Sequence, residues 1–202
     1  RHRAIGRQRQ RGHQRQRQQQ GGAGARPEVS VRIRSHTGAF GAMGMEASSR
    51  LKPAVALMQN DCGAFQNFWV RLKFEANSPC VFTKGLDTMD LPIRHGEGKL
   101  LPRDKATLDT LEAAGCVPCR YIDPATGATT QEFPHNPNGS VNAIAGLCDP
   151  TGRIFGLMPH PEAFLFPEQH PQWSFRPRGE PAPAHGAGLK LFENAIAYVH
   201  AS

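Results

Sequence analysis

His160 and Glu162 stand two residues apart in "RIFGLMPHPEAF", with Pro159 and Pro161 on either side of the histidine. Each proline fixes φ and removes a backbone donor, so the segment is stiff, extended and unable to join a helix interior. In an extended chain residues i and i+2 point the same way. The pair is therefore expected to project together from a strand end, where a carboxylate can fix the tautomer of a histidine that acts as a base. The same spacing also describes two exposed polar residues with no chemistry, and a base needs a nucleophile to activate.

Five cysteines are candidates for that nucleophile: Cys62, Cys80, Cys116, Cys119 and Cys148. Their odd number and irregular spacing argue against a disulfide scaffold and for a reducing, cytoplasmic setting. Cys116 and Cys119 form one C-x-x-C. Zinc asks for four ligands, and redox chemistry asks for a helix after the first cysteine, whereas "CVPCRYID" runs into a strand. Both are expected in the core, with Cys80 and Cys148 as packing residues, and no metal site is expected. Cys62, in the turn-like "NDCGAFQ", is the remaining candidate.

The elements that must position these groups are mixed α and β. Pro53 opens a strand in "PAVALMQ". In "NFWVRLKFEA", Phe68, Val70, Leu72 and Phe74 alternate with Trp69, Arg71 and Lys73, the period of a half-buried strand. "LDTMDLPIRHGEGKLL" reads as strand, glycine turn, strand. A helix follows, with Asp104 as N-cap, Leu108 and Leu111 one turn apart and Gly115 past its end. "AIAGLCDPTGRIFGLM" reads as two apolar strands around a turn at residues 149–152. Residues 164–187 form a loop too long to be a casual connection. In "GLKLFENAIAYVH", Leu189, Phe192, Ile196 and Val199 share one helical face.

Residues 1–52 read differently. The first 26 carry eight arginines and no acid, and almost no large apolar residue to offset the entropy of ordering, so 1–52 is expected to be a disordered Arg/Gln/Gly-rich arm. Removing those eight from the 24 basic residues leaves 16 against 17 acidic ones, so the body is not a basic protein. The arm lacks the amphipathic apolar positions of a targeting peptide and the aromatics that stack on bases, so RNA binding through it would be nonspecific. No apolar run approaches the roughly 20 residues that span a bilayer. The chain opens on arginine, as a fragment or conceptual translation does, and the break near Lys52 has the character of a frameshifted or misassembled coding region.

"NPNGSVNAIAGLCDPTGRIFGLMPHPE", "FWVRLKF", "LPIRHGEGKLL" and "GLKLFENAIAYV" together resemble the glutaminase component of phosphoribosylformylglycinamidine synthase, a class I glutamine amidotransferase of purine biosynthesis. "PHPEAFLFPEQHPQW" is more similar to the separate small-subunit form than to the fused one. The resemblance covers residues from about 53 to 199 and implies a flavodoxin-like α/β fold whose N-terminal half is missing or altered, with 53–202 as the C-terminal part of the domain. It implies a Cys-His-Glu triad in which a cysteine thiolate attacks the glutamine carboxamide, His160 moves the proton and Glu162 orients His160. It also implies partners: a large synthetase subunit that receives the ammonia and uses ATP and Mg, a small accessory subunit, and glutamine as substrate. No cofactor is expected in this chain, and no membrane or nucleic-acid partner.

The family's nucleophile sits in G-x-C-x-G-x-Q, a strained turn into a helix N-terminus. Around Cys62, Asn60 and Ala64 stand where the glycines belong, and "NDCGAFQNFWV" resembles a later family segment in which serine commonly holds the place of Cys62. The glycine-rich loop that supplies oxyanion donors has no counterpart. The expectation is that this chain alone hydrolyses little or no glutamine. Within "RHGEGK", the resemblance places His95 and Glu97 on the substrate side, and it gives "NPNGS" a role in shaping a loop at a partner interface. Two alternatives stay open: a catalytically dead remnant that docks on the synthetase, and nonspecific RNA binding through the arm.

Overall fold

The computed structural model describes residues 32–35, 54–175, 179 and 181–201. Eight strands and two α-helices are described: β1 (Arg32–Ser35), β2 (Val55–Met58), β3 (Gln66–Phe74), β4 (Thr88–His95), β5 (Lys99–Pro102), α1 (Lys105–Ala113), β6 (Cys119–Ile122), β7 (Ile144–Cys148), β8 (Ile154–Leu157) and α2 (Leu189–Ala201). Six strands form one sheet in the order β1-β8-β7-β6-β3-β4, and β2 pairs with β5 in a second. Only β1 and β8 run parallel; the other pairs are antiparallel. The fold is α/β, and the β1–β8 pair is the parallel element of a flavodoxin-like sheet among the described residues. β1 lies inside the stretch expected to be an arm. The rest of that stretch, with its expected disorder, lies outside the described residues.

β3 shows how the pattern becomes a core. Val70, Leu72 and Phe74 are buried, while Asn67 and Lys73 on the opposite face are exposed. Leu91 and Ile93 of β4, Tyr121 of β6, Cys148 of β7 and Phe155 of β8 complete the buried face, each almost fully removed from solvent, and Leu147 on the other face of β7 is buried as well. Trp69 and Arg71 lie on the outer face yet are half-buried, because residues of the long loop cover them: Phe164 and His170 meet the indole edge-on at 5.0 and 4.7 Å.

α1 begins where Asp104 Oδ1 accepts from Thr107 N at 2.7 Å and ends with Gly115 in the left-handed region, as the sequence predicts. The turn at residues 149–152 also forms. Asp149 N donates to Ile154 O, and the Asp149 carboxylate accepts from Thr151 Oγ1 and Ile154 N. Burial raises the Asp149 carboxyl, but these hydrogen bonds, with those from the Thr151 and Arg153 backbones, outweigh it and hold the group below its ordinary range.

The predicted face of α2 is corrected. Leu191 and Ala195 are buried, whereas Ile196 and Val199 are exposed. The helix is turned so that Asn194 Nδ2 reaches the carbonyls of Phe82 and Lys84, at 2.8 and 2.9 Å, and satisfying those two backbone acceptors brings the Ala195 face inward. No helix among the described residues is long and apolar enough to cross a membrane.

Candidate active site

The chain after β8 is fastened twice before it reaches the site. Met158 N donates to Ala145 O of β7, and His160 N donates to Pro92 O of β4 at 2.8 Å. His160 itself is extended, with φ −106° and ψ 91°, and Pro161 opens a single 3-10 turn, Pro161–Ala163. Proline suits the first position of such a turn because its missing N–H would have no partner there. Glu162 thus comes round beside His160 by way of the turn, where the sequence predicted a continuous extended segment. The contact is the one expected: His160 Nδ1 and Glu162 Oε1 are 2.6 Å apart. An ionised carboxylate only accepts, so Nδ1 carries the proton and Nε2 of the neutral ring holds the lone pair. The imidazole is largely buried and the carboxylate half-exposed.

The turn is held from behind. Ala163 N donates to His160 O, Gly188 N to Phe164 O and Gly186 N to Leu165 O, so the segment that leads into α2 braces the residues that follow Glu162. Phe164 extends the brace to Trp69 and His170. Sequence reasoning missed this clasp; its only signal was the length of the loop.

The cysteines sort by burial. Cys80, Cys116, Cys119 and Cys148 are buried and Cys62 is exposed. Hydrogen bonding with Cys148 and then burial push the Cys116 thiol up, and burial does the same to Cys119. The bond with Cys116 lowers the Cys148 thiol, but the bond with Cys80 and burial push it up to about 12. These are core thiols, as the sequence predicts, and not nucleophiles. Cys62 occupies the turn before β3, where its Sγ accepts from Gln66 Nε2 at 3.1 Å. A strand follows it, not a helix N-terminus, so the local feature that activates a thiolate in a strand-to-helix elbow is absent at this residue.

His95 ends β4 and is buried, with Nδ1 3.0 Å from Asn60 Oδ1, whereas Glu97 is exposed on the loop beyond it. Asn136, Asn138 and Ser140 of "NPNGS" turn inward: Asn138 Nδ2 donates to the Tyr121 hydroxyl, and Ser140 Oγ accepts from Leu100 N. On the outer face of β3 and β4 lies a groove of about 630 Å³, bordered by Phe68, Trp69, Phe133 and His170 and by Arg71, which Asp90 holds with two hydrogen bonds of 2.7 and 2.6 Å. His160 is not among its lining residues. Among the described residues no cluster of three or more His, Cys, Asp or Glu side chains is placed to hold a metal.

Residues 37–199 match the family of CobB/CobQ-like glutamine amidotransferase domains. The chain belongs to that family. The match opens 16 residues ahead of Pro53, where the stretch similar to the family begins in the sequence. The amidotransferase domain is similar to phosphoribosylformylglycinamidine synthase subunit PurQ of Dehalococcoides mccartyi, 39% identical over 142 residues that cover 70% of this chain and 52% of that protein. It is also similar to the PurQ subunit of Methanococcus maripaludis, 35% identical over 173 residues, with 83% and 62% covered. A solved structure of PurLQS from Thermotoga maritima matches at 27% identity and a TM-score of 0.49, over 71% of this chain and 52% of that one. The chain thus spans 52 to 62% of the length of these PurQ relatives.

Proposed function

We propose that this chain acts as the glutaminase component of a phosphoribosylformylglycinamidine synthase and carries the proton-transfer half of its triad. The observation that supports the reading is the His160–Glu162 pair, 2.6 Å apart at the end of β8, in an amidotransferase chain whose relatives are PurQ subunits. In this reading His160 Nε2 takes the proton of an attacking thiol and returns it to the departing ammonia, and Glu162 holds the imidazole in the tautomer that can do so and stabilises it when charged. Glutamine is the substrate, and the ammonia passes to a large synthetase subunit, which uses ATP and Mg to amidinate formylglycinamide ribonucleotide alongside a small accessory subunit. His95 and Glu97 belong to the glutamine side, Glu97 through its exposed carboxylate.

The setting of Cys62 supports a second element of the proposal: alone, the chain hydrolyses little or no glutamine and serves by docking on the synthetase. Ammonia release from L-glutamine, measured for the chain alone and with the synthetase subunit added, tests both parts. Steady release that disappears in Cys62→Ala and in His160→Ala would make Cys62 the nucleophile and overturn the inactivity. No release from the chain alone, co-elution of chain and synthetase, and release that appears in the complex and is lost in His160→Ala are the expected results. Neither release nor co-elution would remove the functional reading.

A further inference from the structure

Asn60 is 2% exposed, and its amide makes four hydrogen bonds. Nδ2 donates to Ala64 O and to His95 O, each at 2.9 Å; Oδ1 accepts from Gly98 N at 3.1 Å and lies 3.0 Å from His95 Nδ1. Its backbone joins the same two segments, since Asn60 N donates to Gly96 O and Gly63 N donates to Asn60 O. Two carbonyls and one N–H thereby fix which end of the amide is oxygen. An oxygen cannot donate, so His95 Nδ1 must be the donor. The His95 ring in turn lies against Gly98: a Cβ there would stand 2.6 Å from Nδ1, so only glycine lets the loop close over the imidazole.

We propose that Asn60 is a positioning residue that holds His95 as the Nδ1–H tautomer and sets the loop of residues 95–98, which carries Glu97, against the turn that carries Cys62. Its importance for catalysis rests on the reading that this loop faces glutamine. Its acceptor atom ties down one ring nitrogen and one loop amide at once, so one side chain acts both on the protonation pattern of His95 and on the path of the backbone that presents Glu97.

The test uses the whole chain, labelled with 15N, without substrate. In the unchanged protein the His95 nitrogen shifts are expected to show a proton on Nδ1 and none on Nε2 in the neutral ring. Asn60→Ala removes the acceptor, so His95 loses its tautomer preference and Gly98 amide exchange rises about tenfold or more, as loss of one buried hydrogen bond allows. Asn60→Asp keeps an acceptor for both groups and, carrying a proton on its other oxygen, still donates to one of the two carbonyls, so it retains the Nδ1 proton and the slow Gly98 exchange. A merely structural role predicts that both variants lose both signatures, and that result overturns the proposal. So does an Nε2–H tautomer in the unchanged protein, or an Asn60→Ala variant that leaves both signatures in place. Should Asn60→Ala fail to fold, Asn60→Asp decides by the same two readings. Glutamine that leaves the 95–98 resonances of the unchanged protein unmoved would count against the substrate reading alone.

Discussion

Gly152 and Gly127 offer a matched pair of perturbations. Their φ values are +69° and +70°, so alanine at either meets the same left-handed strain, about 1 kcal/mol. Their surroundings differ completely. A Cβ at Gly127 has nothing within 4 Å, whereas one at Gly152 would lie 2.0 Å from Pro79 O, 2.5 Å from Pro79 C and 3.0 Å from Cys80 Cα. Those are backbone atoms, so relief requires residues 79–81 to move. That motion breaks the 3.1 Å bond from Val81 N to Gly152 O, worth about 1 kcal/mol, and disturbs the packing of Phe82, which is 1% exposed. The sum for Gly152→Ala is about 2–4 kcal/mol against about 1 for Gly127→Ala, with the entropic gain in the unfolded chain common to both. For a chain of this size the melting temperature should fall by about 4–16 °C in the first variant and about 2–4 °C in the second. Scanning calorimetry on the two variants measures the difference directly. Equal melting temperatures would refute the claim that the turn before β8, and with it the entry to His160, is seated on residues 79–80.

Two further outcomes follow from burial and capping. Iodoacetamide under native conditions should modify Cys62 alone, and only denaturant should bring all five cysteines to reaction; intact-mass spectrometry before and after unfolding reads both states, and early modification of Cys116 or Cys148 would contradict the core described. The Asp104 carboxyl is held down from 3.8 to about 2, first by the Thr107 side chain, then by the Thr107 N–H, then by Arg103. A group whose folded pKa is depressed contributes stability above its unfolded value, and that contribution is lost as pH falls from 3.8 through about 2. Asp104→Ala should therefore flatten the acid dependence of stability in that window, followed by thermal melts at successive pH values.

What was legible in the sequence was local. β3, the cap of α1 and the turn at residues 149–152 each follow from a period or a turn residue whose cause lies within a few positions, and the structure places them as read. The face of α2 depends on two carbonyls more than 100 residues away, which no helical period contains. At the site, His160 and Glu162 were visible because two prolines isolate them, although the 3-10 turn that brings them together was not. Asn60 was legible only as a departure from a glycine-flanked pattern. Its four partners lie in two segments, one of them 35 to 38 positions along the chain, and nothing in their spacing announces that one amide joins them.

The bond from His160 N to Pro92 O gives the segment after β8 a second duty, apart from the one proposed for its side chains. Among the described residues β4 is the outermost strand of its sheet, and Pro92, which has no N–H to offer, sits there with its carbonyl accepting from His160 N. By taking that carbonyl, His160 closes a position at which another chain could add a strand. The backbone of His160 thus covers the edge while its imidazole is left for the proton transfer proposed for it, so the two properties can be lost separately. His160→Ala should silence the ring and leave the edge closed, whereas His160→Pro should open the edge and drive chains to pair along β4.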